Sequence, residues 1–131
     1  MEKRVTNPWA WQDQFGFVQA NEISGVERTL ICSGQISLDA DGGVLHEGDM
    51  RAQVGTSMDN LETVLTSAGF ELADVVKLVI YSTDVDAYLQ SADVVASRTG
   101  EAGCTPAMTL LGVSRLAFPQ LLVEIEATAF R

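Results

Sequence analysis

The longest periodic stretch of the chain lies between Asp49 and Gly69. Its apolar residues recur every three or four positions, like the buried stripe of an amphipathic helix: Met50, Val54, Met58, Leu61, Leu65 and Ala68. The polar residues assigned to the opposite face are Arg51, Gln53, Asp59 and Glu62. Asp49 is a suitable N-cap, and Gly69 is a typical residue just past a helix end. The pattern predicts a helix that runs to Ala68 and covers another layer with one face only.

Runs of apolar and β-branched residues predict strands elsewhere in the chain. They span residues 15–20, 28–38, 75–83, 108–116 and 121–130. The last alternates cleanly: Leu121, Val123, Ile125, Ala127 and Ala129 face one way, and Leu122, Glu124, Glu126 and Thr128 face the other. Asn21 with Ser24-Gly25 predicts a turn between the first two strands, and residues 39–43 predict a tight hairpin turn.

A second, shorter helix is predicted over residues 87–99, with Asp84 or Asp86 as its cap and Gly100 at its end. It presents Tyr88, Ala92, Val95 and Ala96. The order ββαβαββ indicates an α+β fold in which a mixed sheet carries both helices on one side. The other face of the sheet is too apolar to be left in water, so we expect it to meet another subunit. Since no repeat or linker divides the chain, residues 1–131 are expected to form one domain.

Composition and charge narrow the classes of function. The chain has 131 residues, 47% of them hydrophobic and 20% charged, which excludes a disordered or low-complexity protein. The net charge is −10 and the 8 Lys and Arg residues are scattered, so nucleic acids and anionic membranes are poor partners. There are only 2 cysteines, no signal peptide is recognisable, and no apolar run approaches a membrane span. We expect a cytoplasmic protein with reduced thiols.

Few residues offer chemistry on their own. His46 is the only histidine and has no cysteine nearby, so no metal site is predicted. Cys32 and Cys104 lie in or beside apolar stretches and are interpreted as buried thiols without a nucleophilic role.

Two positions leave alternatives open. Gly34, flanked by Ser33 and Gln35 within a predicted strand, indicates either a simple bulge or a close approach of a ligand to the backbone. Glu124 and Glu126 share one strand face, where two carboxylates could serve acid–base chemistry if burial raised a pKa. They could equally form a solvated strand face.

Several short segments follow one another along nearly the whole chain. They are Cys-Ser-Gly-Gln-Ile-Ser-Leu-Asp (32–39), Gln53 with Asn60-Leu61 and Leu65, Ala68-Gly69, residues 72–78, Thr83-Asp84, Pro106-Ala107 and Val-Glu-Ile-Glu-Ala (123–127). Together they resemble the Rid superfamily, whose YjgF-type members are also known as endoribonuclease L-PSP proteins. The resemblance implies a chorismate-mutase-like fold, assembled as a homotrimer with a cleft between each pair of neighbouring subunits. It also implies hydrolysis of imines and enamines of small 2-keto acids, with release of ammonia and without metal or organic cofactor.

The same resemblance assigns roles to individual residues. Glu124 matches the glutamate that positions the attacking water. Ser33 and Gly34 match the segment whose backbone lines the cleft. The resemblance therefore implies that Glu124 holds and activates water, and that Ser33 and the backbone at Gly34 bind the polar end of the substrate.

Three lining positions depart from the family pattern. Met108 stands where deaminating members have an arginine that clamps the substrate carboxylate. Phe17 matches a tyrosine and lacks its hydroxyl, and Leu110 matches a thiol or polar residue. Because methionine cannot pair with a carboxylate, a small anionic substrate would be left without a partner. Arg115 would point to the opposite face of the predicted strand from Met108, so it could replace the arginine only if a bulge intervened.

We therefore expect a hydrolase of the imine or enamine deaminase type, whose small-molecule substrate is neutral or largely apolar. The alternative is a non-catalytic trimer that binds a small metabolite in its clefts. Endoribonuclease or translation-inhibitor activity is disfavoured by the acidic charge. Whether a paralogue joins the oligomer is left open at this point.

Overall fold

Six strands and three α-helices make up the structure, a computed structural model that describes residues 1–131. The strands are β1 (Glu2–Thr6), β2 (Ala20–Ser24), β3 (Thr29–Ile31), β4 (Val75–Ser82), β5 (Ala107–Gly112) and β6 (Val123–Phe130). The helices are α1 (Met50–Ser67), α2 (Val85–Leu89) and α3 (Ala92–Glu101), and short 3₁₀ helices span Trp11–Phe15 and Leu72–Asp74. The predicted α+β class is confirmed.

A four-stranded mixed sheet in the order β3-β6-β4-β5 forms the centre of the fold. The β4–β5 pair is parallel, whereas β3–β6 and β4–β6 are antiparallel. A separate antiparallel pair, β1–β2, was not predicted. Strand β1 is mostly exposed, so its sequence has no apolar run that would have marked it.

Helix α1 has the predicted limits. The carboxylate of Asp49 accepts a hydrogen bond from the Ala52 amide at 3.1 Å, and the chain leaves the helix at Gly69 with φ of +77°. The predicted stripe is buried, with Val54, Met58, Leu61 and Leu65 fully inaccessible in the core beneath the sheet. This part of the prediction is confirmed.

The assignment of Gln53 to the exposed face of α1 is wrong. Its side chain is fully buried and its amide nitrogen donates to the carbonyls of His46 and Gln120, at 3.1 and 3.0 Å. Its amide oxygen accepts from the Leu122 backbone N–H at 2.8 Å. A polar side chain is stable here because it satisfies three backbone groups of the loops around it.

The predicted N-terminal strands are largely wrong. Residues 15–20 contain the end of a 3₁₀ helix, a left-handed Gly16 and a single bridge at Val18, and the strand begins only at Ala20. Of residues 28–38, only Thr29–Ile31 form regular strand, followed by irregular chain. The turn at Gly25, with φ of +65°, is at the predicted position, but Asn21, assigned to the same turn, lies within β2 and pairs with Val5.

The second predicted helix is two helices, α2 and α3. Asp84 caps the first by accepting from the Ala87 amide at 3.0 Å, and Ser91 precedes the second in a non-helical conformation. Gly100, predicted to end the helix, lies within α3, and the left-handed glycine that follows the helix is Gly103. Strand β5 ends at Gly112 instead of Leu116, because Gly112 pairs with Ser82, the last residue of β4. Strand β6 begins at Val123 instead of Leu121.

The helices pack on one face of the sheet, against core residues that include Leu78, Ile80, Val123 and Ile125. The opposite face is open in the protomer. It was expected to be apolar, but it mixes exposed Ile31 and Leu111 with polar residues such as Tyr81 and Glu124. None of the three helices is both long enough and apolar enough to cross a membrane.

Candidate functional site

An apolar pocket of about 460 Å³ lies between β5, helices α2 and α3 and the segment that precedes β2. Ten of its 13 lining residues are hydrophobic. The 13 lining residues are Gln14, Phe15, Phe17, Ile80, Tyr88, Leu89, Ala92, Asp93, Val95, Ala96, Met108, Thr109 and Leu110. The structure therefore brings together Phe17, Met108 and Leu110, the three positions predicted to line a cleft.

Phe17 reaches the pocket because its segment runs beside the start of β5. The Val18 amide donates to the Pro106 carbonyl at 3.0 Å, and Val18 bridges to Ala107 in parallel. The Phe17 ring stacks on Phe15 with centroids 6.5 Å apart and meets the edge of Trp11 at 5.9 Å. One side of the pocket is consequently aromatic.

No free charge faces this pocket. No lysine, arginine or histidine lines it, and its one carboxylate is Asp93. Arg51 binds both oxygens of Asp93, at 2.7 and 3.0 Å, and this hydrogen bonding holds the pKa of Asp93 below its ordinary value. The pair is neutral as a unit, so the pocket retains no unpaired cation for an anionic ligand.

Tyr88 stands in the pocket wall, and the residue as a whole is only 3% exposed. Its hydroxyl makes no hydrogen bond within the protomer, and the hydroxyl oxygen remains open to solvent. Burial raises the pKa of Tyr88 far above its ordinary value, so the hydroxyl keeps its proton.

A second cluster lies where β3 runs into β6. Ile31 pairs with Thr128, but Gln35 bridges to Ile125, so the β3 side holds one residue more than β6 between these pairs. This extra residue is a bulge at Ser33-Gly34. Ser33 is exposed, and its carbonyl accepts from the Gln35 side chain at 3.1 Å.

The Glu124 side chain lies directly over Gly34. An ideal Cβ at position 34 would fall 2.0 Å from Oε1 of Glu124 and 2.6 Å from its Cγ. The carboxylate has no hydrogen-bond partner in the protomer. Burial, followed by repulsion from Glu126, raises the pKa of Glu124. Glu126 accepts a short hydrogen bond from the Tyr81 hydroxyl.

The two clusters lie on opposite faces of the sheet. Met108 and Leu110 pair with Leu78 and Ile80 and so share the helix-covered face. Glu124 pairs with Tyr81 on β4. Side chains alternate along this strand, and the flanking Ile80 and Ser82 are buried, so Tyr81 and its partner Glu124 lie on the open face. Within one protomer, the carboxylate of Glu124 does not reach the pocket of Met108.

The remaining candidates stay outside both clusters. Arg115 is exposed in the loop of residues 113–122, so the strand-face argument against it does not apply, but it does not line the pocket. Cys104 is buried, donates to the Val75 carbonyl and has its pKa raised by burial to about 11. His46 is exposed in a loop with φ of +62°. No group of three or more His, Cys, Asp or Glu side chains could hold a metal ion.

Sequence reasoning missed most of the pocket wall. The stripe Tyr88, Ala92, Val95 and Ala96 was predicted as the buried face of a helix, and the structure uses all four to line the cavity. Tyr88 could have indicated a cavity on this face, because the hydroxyl of a buried tyrosine usually has a hydrogen-bond partner. Phe15 was missed because its segment was predicted to be a strand.

Comparisons with known proteins agree with this architecture. The family model described as Endoribonuclease L-PSP matches residues 13–131. A RutC family protein of Pyrococcus horikoshii is 34% identical over 102 residues, which are 78% of this chain and 79% of that protein. A protein of Salmonella typhimurium named 2-iminobutanoate/2-iminopropanoate deaminase is 32% identical over 116 residues, 88% and 87% of the two chains.

A solved structure is similar over the whole length. The Yersinia pestis protein YyfB, described as a protein of unknown function of the conserved Rid family, has a TM-score of 0.88 and 36% identity, and each chain is fully covered.

The fold and pocket define a small α+β protein with a ligand-sized cavity at the edge of a mixed sheet. This chain belongs to the endoribonuclease L-PSP family, the YjgF/Rid group of proteins.

Proposed function

We propose that the protein hydrolyses small imines or enamines that carry no carboxylate, at clefts formed between neighbouring copies of the chain. The observation that carries the proposal is Glu124, a carboxylate without a hydrogen-bond partner, which lies over Gly34 with a raised pKa. Family membership supports the reaction class, because some relatives are named imine deaminases.

The opposite placement of the two clusters supports a site shared between protomers. Glu124 and Gly34 occupy the open face of the sheet, whereas Phe17, Met108 and Leu110 line the pocket on the other face. A substrate that touches both therefore needs Glu124 from one protomer and the pocket from another. A closed ring of three copies would supply three such clefts, which is the homotrimer that the resemblance implies.

The chemistry requires only water and a proton carrier. Water adds to the carbon of the C=N bond, which forms a C–O bond and moves an electron pair to nitrogen. Glu124 takes one proton from the water and returns it to nitrogen, which gives a carbinolamine. It then carries the remaining hydroxyl proton to the same nitrogen as the C–N bond breaks, so that ammonia leaves and the C–O bond becomes the C=O bond of the product. Ser33 and the Gly34 backbone would bind the polar end of the substrate.

The pocket supports the choice of a neutral substrate. Met108 offers a thioether where a carboxylate needs a cation, and Arg51, which binds the lining residue Asp93, is already paired with that carboxylate. Phe17 and Leu110 add apolar walls. A small 2-imino acid would lose its hydration in this pocket without gaining a charged partner.

A binding protein without catalysis is the second candidate. It is favoured by the pocket itself, which holds no side chain free to move a proton, since Asp93 is bound to Arg51 and Tyr88 keeps its proton. In that case Glu124 would have no catalytic part.

The test is release of ammonia from 1-phenylethan-1-imine, generated in the presence of purified protein and followed with a coupled dehydrogenase. We expect wild-type protein to accelerate hydrolysis, Glu124→Gln to lose it while still binding the ketone product, and 2-iminopropanoate to remain unaccelerated. Absence of turnover across a panel of neutral imines, with binding retained, would support the binding protein. Efficient turnover of 2-iminopropanoate that depends on Glu124 would overturn the argument from Met108.

A further inference from the structure

We propose that Tyr88 determines specificity in this pocket by donating its hydroxyl hydrogen to a neutral acceptor on an aromatic ligand. This inference rests on the proposed function for the reaction, and it adds the class of compound: an aryl ketone or aryl imine.

The first step of the argument is elimination among the polar groups of the wall. Asp93 is bound by Arg51, and the Thr109 hydroxyl accepts from Lys77 at 2.7 Å. Gln14 is exposed and its side-chain amide donates to the Trp11 carbonyl at 3.2 Å. Tyr88 alone is buried, lines the cavity and has no partner for its hydroxyl.

The second step concerns what such a hydroxyl can bind. Although the residue is buried, its hydroxyl oxygen remains open to solvent, so a ligand in the cavity can replace water as the acceptor of its hydrogen bond. Because desolvation raises the pKa of Tyr88, the group stays a neutral donor over the physiological range. One neutral donor among apolar walls suits a carbonyl oxygen or an imine nitrogen. It is not enough for a carboxylate, which needs a cation or several donors.

The third step concerns the rest of the ligand. Phe15 and Phe17 are stacked on one side of the cavity, and Leu89 and Met108 close other sides. Flat aromatic groups gain from stacked or edge-to-face contacts with such rings, and the thioether of Met108 packs well against a ring edge. The cavity of about 460 Å³ has room for a single substituted ring.

The experiment compares two inert probes of the same shape. Acetophenone and α-methylstyrene differ only in a C=O or a C=CH₂ group, so only the first can accept a hydrogen bond. Their dissociation constants are measured by ligand-observed NMR titration with wild-type protein and with Tyr88→Phe, which retains the ring and its packing. Phenylglyoxylate is added as the probe that carries a carboxylate.

We expect wild-type protein to bind acetophenone about fivefold more tightly than α-methylstyrene, as one neutral hydrogen bond allows. Tyr88→Phe should abolish that preference and leave α-methylstyrene binding unchanged, and phenylglyoxylate should bind most weakly. The inference is overturned if wild-type protein shows no preference, or if the preference persists in Tyr88→Phe. Because neither probe is hydrolysed, a Tyr88-dependent preference without imine turnover would reject only the proposed reaction.

Discussion

A side chain at position 34 and the carboxylate of Glu124 cannot occupy the same space. A Cβ there would fall 2.0 Å from Oε1 and 2.6 Å from Cγ of Glu124, well inside van der Waals contact. The glycine is therefore required by the conformation of Glu124, not by backbone strain, since Gly34 has no positive φ. The absence of a side chain at Gly34 therefore allows the Glu124 carboxylate to lie directly over the backbone.

Gly34→Ala is expected to displace the Glu124 carboxylate while the chain still folds. A misplacement of about 1 Å in a catalytic group can cost about 100-fold in rate, so kcat/KM for a neutral imine should fall by about that factor. The measurement is steady-state hydrolysis, with unfolding in urea followed in parallel.

Gly55→Ala is the control, because Gly55 lies in α1 with nothing within 4 Å of an added Cβ. It should gain about 1 kcal/mol of stability and keep full activity. Wild-type turnover in Gly34→Ala would show that this position does not orient the carboxylate.

Glu126→Gln is expected to shift the pH dependence of hydrolysis to lower pH. Glu124 must be ionised to accept a proton, so activity falls as pH drops through its pKa, which burial and then Glu126 raise. Removing the Glu126 charge lowers the pKa of Glu124, and only the contribution of burial remains. The measurement is kcat between pH 4 and about pH 8, a range that spans the ordinary carboxyl pKa and neutrality. Glu47→Gln, in an exposed loop, serves as control. An acid limb that stays in place or moves to higher pH would contradict the coupling.

The same raised pKa has a consequence for stability. The folded protein holds the Glu124 proton more tightly than the unfolded chain does. This group therefore contributes stability below its ordinary pKa, and the contribution is lost as pH rises through the raised pKa. Glu126→Gln should bring the pKa of folded Glu124 closer to its ordinary value, and so narrow the pH range over which this stability is lost. Urea unfolding at several pH values can measure the change.

Elements with a single periodic face were predictable from sequence. Helix α1 and strand β6 each bury one set of positions, so spacing alone located Asp49, Gly69 and the alternation around Ile125. Strand β1 and the 3₁₀ helix before Gly16 were not predictable in this way, because they are exposed and carry no such period. The break between α2 and α3 depends on local hydrogen bonds at Ser91 that an apolar stripe does not reveal.

Only a few members of the candidate site were predictable from sequence, and its arrangement was not. Resemblance brought Phe17, Met108 and Leu110 together, and the pocket contains all three. Strand register places these residues and Glu124 on opposite faces of the sheet. The register is not contained in a list of matched residues, so this separation was not predicted. Gln53 was misassigned because its buried amide bonds loop backbone groups, two of which, at Gln120 and Leu122, are distant in sequence.

Gln53→Met is expected to destabilise the fold without touching the pocket. The substitution leaves the carbonyls of His46 and Gln120 and the N–H of Leu122 without their partner. The loss should be about 2–4 kcal/mol, read from urea unfolding at fixed protein concentration. Gln90→Met, at an exposed position between α2 and α3, should change stability by less than about 0.5 kcal/mol. If both variants unfold at the wild-type midpoint, the buried amide does not stabilise these loops.

Met108→Arg is expected to give the pocket activity toward 2-imino acids. Position 108 lies in the wall of an otherwise apolar cavity, half-buried, where a guanidinium could bind a carboxylate through two hydrogen bonds. Because hydrogen bonds to charged groups are worth about 1.5–3 kcal/mol, kcat/KM for 2-iminopropanoate should rise by about tenfold or more. Turnover of 1-phenylethan-1-imine should fall as the cavity loses apolar wall. Met108→Gln, of similar length but uncharged, separates charge from shape and should give no gain with 2-iminopropanoate. Equal behaviour of the Arg and Gln variants would mean that Met108 is not what excludes carboxylates.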